Sequence, residues 1–276
     1  MLIRFPGGKG KAVTLSYDDG VEQDIRLMDI FNRHGLKATF NLNSGCFAPP
    51  GTVWPQGQVH RRLTEEGVRS LYVASGHEVA VHTLTHPDLT MLPDAEMIHE
   101  ILTDRLNLER LTQSLVRGAA YPFGTYSDKT VEALRACGIV YCRTVESSHD
   151  FSIPRDWLRL RPTCHHDDPQ LMQLTERFLK DSASWTSRLF YLWGHAYEFE
   201  AHDNWNVIEN WADAVSGHSE IWYCTNIEIC DYMAAAQSLL PFCGNAVYNP
   251  TAIPVWVQKD ERSQPVEVPA GATVRL

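Results

Sequence analysis

The chain has 276 residues, 44% of them hydrophobic and 21% charged, with 34 acidic against 24 basic side chains and a net charge of −10. That length suits one large α/β domain or two small ones with a sizeable core. The acidic balance argues against nucleic acid as a partner. No run approaches the roughly 20 apolar residues that span a bilayer, so no membrane role is expected. The first ten residues lack the apolar core and cleavage pattern of a secretory leader. The seven cysteines are odd in number with no Cys-x-x-Cys pair, which reads as reduced thiols in a cytoplasmic protein.

In chain order, residues 12–18 read as a buried strand that Asp18-Asp19-Gly20 stops. Residues 22–34 carry an apolar helical stripe (Ile25, Met28, Ile30, Phe31) that Gly35 ends. A strand at 38–42 leads into a Pro/Gly-rich loop at 43–58, long enough to expect a function for it. Thr64 caps a helix over 64–74. A strand at 76–82 ends in His82. Residues 93–116 predict a long amphipathic helix burying Ile98, Ile101, Leu102, Leu106, Leu108 and Leu111. A short strand at 119–124 turns into a helix at 127–137, capped by Ser127 and closed by Gly138. Strands follow at 139–144, 158–163, 187–193 and 220–224, and helices at 169–180, 205–215 and 226–240. The alternation predicts a parallel sheet or (β/α) barrel, with the candidate chemistry at strand ends. Past residue 240 the pattern becomes short strands (255–257, 266–268, 273–276) with too few residues for a separate core. The expected division is a barrel over 1–240 and a β appendage over 241–276, through which a dimer remains an open option.

Two adjacent carboxylates at a strand end repel each other and lose solvation, and a divalent cation relieves both costs. His82-Thr-Leu-Thr-His86 supplies imidazoles at i and i+4, which face the same way over one helical turn. One Asp, two His and water make an open, catalytic site of the zinc type. The second Asp is then free to act as a base.

The motifs Thr14-Leu-Ser-Tyr-Asp-Asp-Gly20, His82-Thr-Leu-Thr-His86, Tyr121-Pro122-Phe123-Gly124 and Leu192-Trp-Gly-His195 resemble, in order, four motifs of the polysaccharide deacetylases, the carbohydrate esterase family 4 or NodB-homology enzymes. The resemblance covers about residues 12–230. It implies a distorted (β/α) barrel of about seven strands. It also implies one divalent ion, zinc foremost with cobalt, nickel or manganese as alternatives, on Asp19, His82 and His86. Asp18 becomes the base, His195 the acid, and the Phe123 N–H the oxyanion donor. The implied reaction removes N- or O-linked acetyl groups from an acetylated carbohydrate. Trp193, Tyr121 and Arg161 are the substrate-side candidates, with a place in the core competing for Tyr121.

Two departures stand out. The family's third motif opens with an arginine that holds the base, and here that position is Ala120, leaving Arg161 or Arg143 to supply the charge from another strand. The family's Asp-Trp element, which tunes the acid, has no clear counterpart; Asp156-Trp157 matches its letters but precedes its strand. Cys164-His165-His166-Asp167-Asp168 reads as a support for the site, a substrate contact or a solvated loop. A second metal there is disfavoured because adjacent residues point different ways on a strand. Two other functions compete. One is hydrolysis of a non-sugar amide or other C–N bond at the same metal site, motivated by Ala120. The other is carbohydrate binding without catalysis.

Overall fold

The computed structural model describes all 276 residues. The elements run β1 (Leu2–Arg4), β2 (Lys11–Asp18), α1 (Asp24–Arg33), β3 (Thr39–Leu42), α2 (Glu65–Tyr72), β4 (Glu78–Val81), α3 (Asp94–Thr112), β5 (Gly118–Ala120), α4 (Asp128–Ala136), β6 (Tyr141–Arg143) and β7 (Cys164–His165). They continue as α5 (Leu171–Lys180), β8 (Arg188–His195), α6 (Ala196–Ala201), α7 (Asn206–Val215), β9 (Ile221–Tyr223), α8 (Asn226–Gln237), β10 (Leu240–Pro241), β11 (Ala246–Tyr248), β12 (Val255–Gln258), β13 (Val266–Val268) and β14 (Thr273–Arg275).

The main sheet is ordered β6-β5-β4-β3-β2-β8-β7, all parallel, and β9 also pairs with β2. One edge of β2 is shared: β9 takes Lys11–Val13 and β3 takes Ser16–Asp18. Residues 160–163 bridge the outer strands. Leu160 exchanges backbone hydrogen bonds with Cys142 and Thr144 beside β6, and the Thr163 N–H donates to Tyr191 on β8. The sheet thus curls into the distorted (β/α) barrel that the resemblance implies, one of the two arrangements that the alternation left open.

All eight residues of β2 are buried, as expected of a central parallel strand. Val13, Leu15 and Tyr17 join the larger apolar core under the helices. Thr14, Ser16 and Asp18 are buried polar residues of the alternate set. Thr64 and Ser127 cap α2 and α4 as expected, the latter in a capping box with Thr130.

Two helical faces differ from expectation. Ile25 is exposed, and Asp24 turns inward instead, accepting hydrogen bonds from the Val21 N–H and the Tyr72 hydroxyl. On α3, Ile98, Leu102 and Leu106 are exposed; the buried row is Met97, Ile101, Asp104, Leu108 and Leu111. The short strands past residue 240 form two three-stranded antiparallel sheets, one of which takes in β1 from the other end of the chain. No helix is long and apolar enough to cross a membrane.

Candidate active site

The C-terminal ends of the barrel strands bring the predicted site residues together. Asn41, Asp18 and His195 are register partners on β3, β2 and β8, so they stand side by side. Asn41 Nδ2 donates to Asp18 Oδ1 at 2.7 Å, and His195 Nε2 lies 3.8 Å from Asp18 Oδ2. The Arg143 guanidinium donates to the same Oδ2. Arg143 is fully buried, with its guanidinium 4.2 Å above the Trp193 ring. Burial alone would raise the Asp18 carboxyl, but Arg143, His82 and His195 outweigh it and hold Asp18 below the usual carboxylate range.

Arg143 is therefore the arginine that meets Asp18, where Ala120 cannot. Arg143 and Ala120 are register partners on β6 and β5, so the charge comes from one strand over. Arg161 does not share this contact: this side chain is half exposed and pairs with Glu146. Tyr121 is a core residue, its hydroxyl donating to Leu158 O and its ring stacked on Tyr126. Trp193 is buried, packed against Arg143, His165 and His195 rather than presented as an open platform. Tyr121 and Trp193 are thus packed side chains, while Arg161 stands at the surface.

Asp19, His82 and His86 each offer one ligand atom within 4.8 Å of the others. The histidines do not converge through a helical turn, as their spacing suggested. Thr83 and His86 both take left-handed backbone conformations (φ 66° and 60°), and these fold the segment back on itself. Such conformations cost of order 1–3 kcal/mol each and cluster at functional sites. Asp19 shares the feature, with φ 87°. His82 Nδ1 bonds to Ala120 O at 2.9 Å, leaving Nε2 as the ligand atom. Burial draws the His82 pKa down to about 4 and lowers that of His86, which favours the neutral rings that a metal needs.

Asp19 Oδ1 is buried and accepts no hydrogen bond, although Arg62 Nη2 lies 2.9 Å away. Its Oδ2 meets His60 Nε2 at 3.0 Å. The residues fit a divalent cation by their chemistry: two imidazoles and a carboxylate whose buried Oδ1 accepts no hydrogen bond. Asp104 braces them from α3, accepting from the His82 and Ser44 N–H groups. Phe123 sits in the turn after β5 with φ 58° and its ring edge-on to His86. Its N–H donates to nothing within the chain.

His60, Arg62 and Glu198 were absent from the sequence expectations. His60 and Arg62 lie just past the long loop of residues 43–58, ahead of α2. Glu198 had a local signal, a carboxylate three residues after the strand-end histidine. It accepts the His195 N–H at 3.1 Å in the capping box that starts α6, and its Oε2 lies 3.3 Å from His195 Nδ1. Burial alone would lower the His195 pKa, but Glu198 and the two aspartates raise it above the ordinary value. Asp156, the sequence candidate for this tuning role, instead caps the turn at Trp157–Arg159 and pairs with Arg159.

The polysaccharide deacetylase family model matches residues 6–142. A chitooligosaccharide deacetylase of Bradyrhizobium is 32% identical over 152 residues, which are 54% of this chain and 60% of that protein. A second, from Sinorhizobium fredii, is 30% identical over 55% of this chain and 63% of its own. This chain thus spans about three fifths of the length of these two curated relatives. Among solved structures, the chitin deacetylase of Colletotrichum lindemuthianum aligns over 83% of this chain and 90% of its own, at 18% identity and a TM-score of 0.52, which shows the shared fold. Residues 6–142 thus form a polysaccharide deacetylase domain. The fold of the chain is the distorted (β/α) barrel of the family 4 carbohydrate esterases.

Proposed function

We propose that this chain is a divalent-metal-dependent deacetylase that hydrolyses N- or O-linked acetyl groups on a sugar or oligosaccharide. The observation that carries the reading is the convergence of Asp19, His82 and His86 beside an Asp18 held ionised by Arg143 and facing His195. The curated relatives named for chitooligosaccharides and the solved chitin deacetylase support the acetylated-sugar class.

Asp19, His82 and His86 would hold the ion, which when bound supplies a Lewis acid for the acetyl carbonyl and acidifies its water. Asp18, ionised and fixed by Asn41 and Arg143, takes the proton of the attacking water. The Phe123 N–H, without an internal partner, donates to the oxygen that becomes negative when the carbonyl carbon turns tetrahedral. His195, whose protonated form Glu198 and Asp18 favour, gives its proton to the leaving amine or alkoxide. Acetate and a free amine or hydroxyl result.

The motive for a non-sugar amide reading was the missing arginine, and Arg143 now stands against Asp18. The complete set of Asp18, Asp19, His82, His86 and His195 likewise speaks for catalysis over carbohydrate binding alone. All seven cysteines are free thiols, in keeping with a reducing, cytoplasmic location. The division into a barrel and a C-terminal β appendage is retained as a reading, with β1 assigned to the appendage sheet. The test is a panel of N-acetylated chitooligosaccharides, O-acetylated xylooligosaccharides and non-sugar acetamides, read by acetate release. Turnover is expected on an acetylated sugar; turnover confined to the acetamides would replace the substrate class.

A further inference from the structure

We propose that His165, His166, Asp167 and Glu198 form a second divalent-cation site, beside the cleft between the starts of α5 and α7. The strand β7 ends at His165 and the chain turns at once, so adjacent side chains converge instead of alternating. His165 Nε2 and His166 Nε2 lie 3.2 and 3.3 Å from the same oxygen, Glu198 Oε2. His166 Nε2 is also 3.5 Å from Asp167 Oδ1. Ligand atoms held at 2.0–2.2 Å around one tetrahedral ion stand about 3.3 Å apart.

Hydrogen bonding accounts for part of this cluster: His165 Nδ1 accepts from the Asp167 N–H at 3.1 Å and His202 Nδ1 lies 3.2 Å from Asp167 Oδ2, but His166 is left out. The His166 side chain is completely buried, and neither of its nitrogens has a hydrogen-bond partner. A buried polar group left so costs on the order of 1–3 kcal/mol. The ring is held in place all the same. It stacks on Phe199 at 4.0 Å and on Tyr17 at 5.8 Å, and it lies so close to Gly194 that a Cβ there would come within 2.0 Å of Nδ1. That packing aims Nε2 at the two carboxylates. Asn204 adds a second orphan: its Oδ1 is buried without a partner, while its amide nitrogen lies 3.5 Å from Asp167 Oδ1.

A cleft lies beside the cluster. His166, Asp167 and Asn204 line it, and its volume is about 480 Å³. Two imidazoles and two carboxylates suit zinc or another first-row divalent ion better than calcium or magnesium. The site is distinct from the Asp19 cluster but touches the catalytic row, because the Glu198 oxygen that faces both histidines also faces His195 Nδ1.

The test counts ions per chain, by elemental analysis of the full chain after chelator stripping, reloading with Zn²⁺ and dialysis. Wild type is expected to hold two. The Asp167→Asn/Glu198→Gln variant should hold one, as should His82→Ala/His86→Ala, and the variant with all four changes none. A wild-type count of one that Asp167→Asn/Glu198→Gln leaves intact overturns the second site. A count of one that survives His82→Ala/His86→Ala but is lost in Asp167→Asn/Glu198→Gln upholds it, and removes the first site instead. As a control on folding, Zn²⁺ should still raise the Tm of His82→Ala/His86→Ala, and the absence of any rise contradicts the proposal.

Discussion

Asp18 depends on a guanidinium that no water can replace, since Arg143 is fully buried and its partner carboxylate nearly so. Removing one member of such a pair leaves an uncompensated buried charge, which costs roughly 3–5 kcal/mol. Arg143→Met should therefore lower the urea midpoint strongly. It should also raise the Asp18 pKa and move the acidic limb of the kcat/KM profile to higher pH, because activity needs Asp18 ionised and Arg143 favours that state. Arg161→Ala, at the surface, should change stability by less than about 0.5 kcal/mol and leave the profile where it was. Urea titration and pH–rate profiles of the two variants separate the arginines. Their ambiguity in the sequence had a physical source. Which arginine meets Asp18 is decided by the register of β6 against β5, and no local spacing encodes that. Asp18, Asp19, His82 and His86 were legible because each pair lies within five residues.

At the scale of elements, short segments with left-handed backbone do the positioning. The turn Pro122–Gly124 aims the Phe123 N–H, and Gly124 has φ 73° with the Val145 side chain against it: a Cβ there would come within 2.2 Å of Cγ2. Gly124→Ala should cost about 1–3 kcal/mol through overpacking. It should also lower kcat by up to ~100-fold through displacement of the donor, as misplacements near 1 Å do. Steady-state kinetics with a parallel ion count check this; an unchanged kcat would remove Phe123 from the proposed oxyanion role. The strands that carry the site were readable from their apolar runs. The helix faces were read less well. The buried row of α3 follows a 4-3-4-3 spacing, but Asp104 sits in its middle, and a polar residue there hides the row and leaves its apolar neighbours looking like the core. β1 escaped notice because its pairing with β12 lies at the opposite end of the chain.

Across the whole molecule, buried carboxyls set opposing pH dependences. Burial pushes Asp104 up to about 8, and Asp24 and Glu78 up to about 7. Between the unfolded value near 4 and these folded values the native state binds more protons, so this group's contribution to stability falls as pH rises. Asp18, Asp19 and Glu198 are held low by their cationic partners. Their contribution is present above the unfolded pKa and is lost as the pH falls through their folded values. Stability should thus pass through a maximum on the acid side of neutrality. Asp104→Asn should flatten the decline between about pH 5 and 8, which urea midpoints across that range would show; an unaltered slope would deny Asp104 its buried proton.

Fold and family do not by themselves decide activity. The central claim is therefore carried by the ion site on Asp19, His82 and His86. The most direct measurement is acetate release from an acetylated oligosaccharide by one preparation taken through chelation and then Zn²⁺ readdition, with Asp18→Asn alongside. Activity should disappear on chelation and return with zinc, and Asp18→Asn should lose at least about 100-fold in kcat while still binding the ion. Acetate release that persists in the chelated enzyme, or in Asp18→Asn at the wild-type rate, would contradict the account.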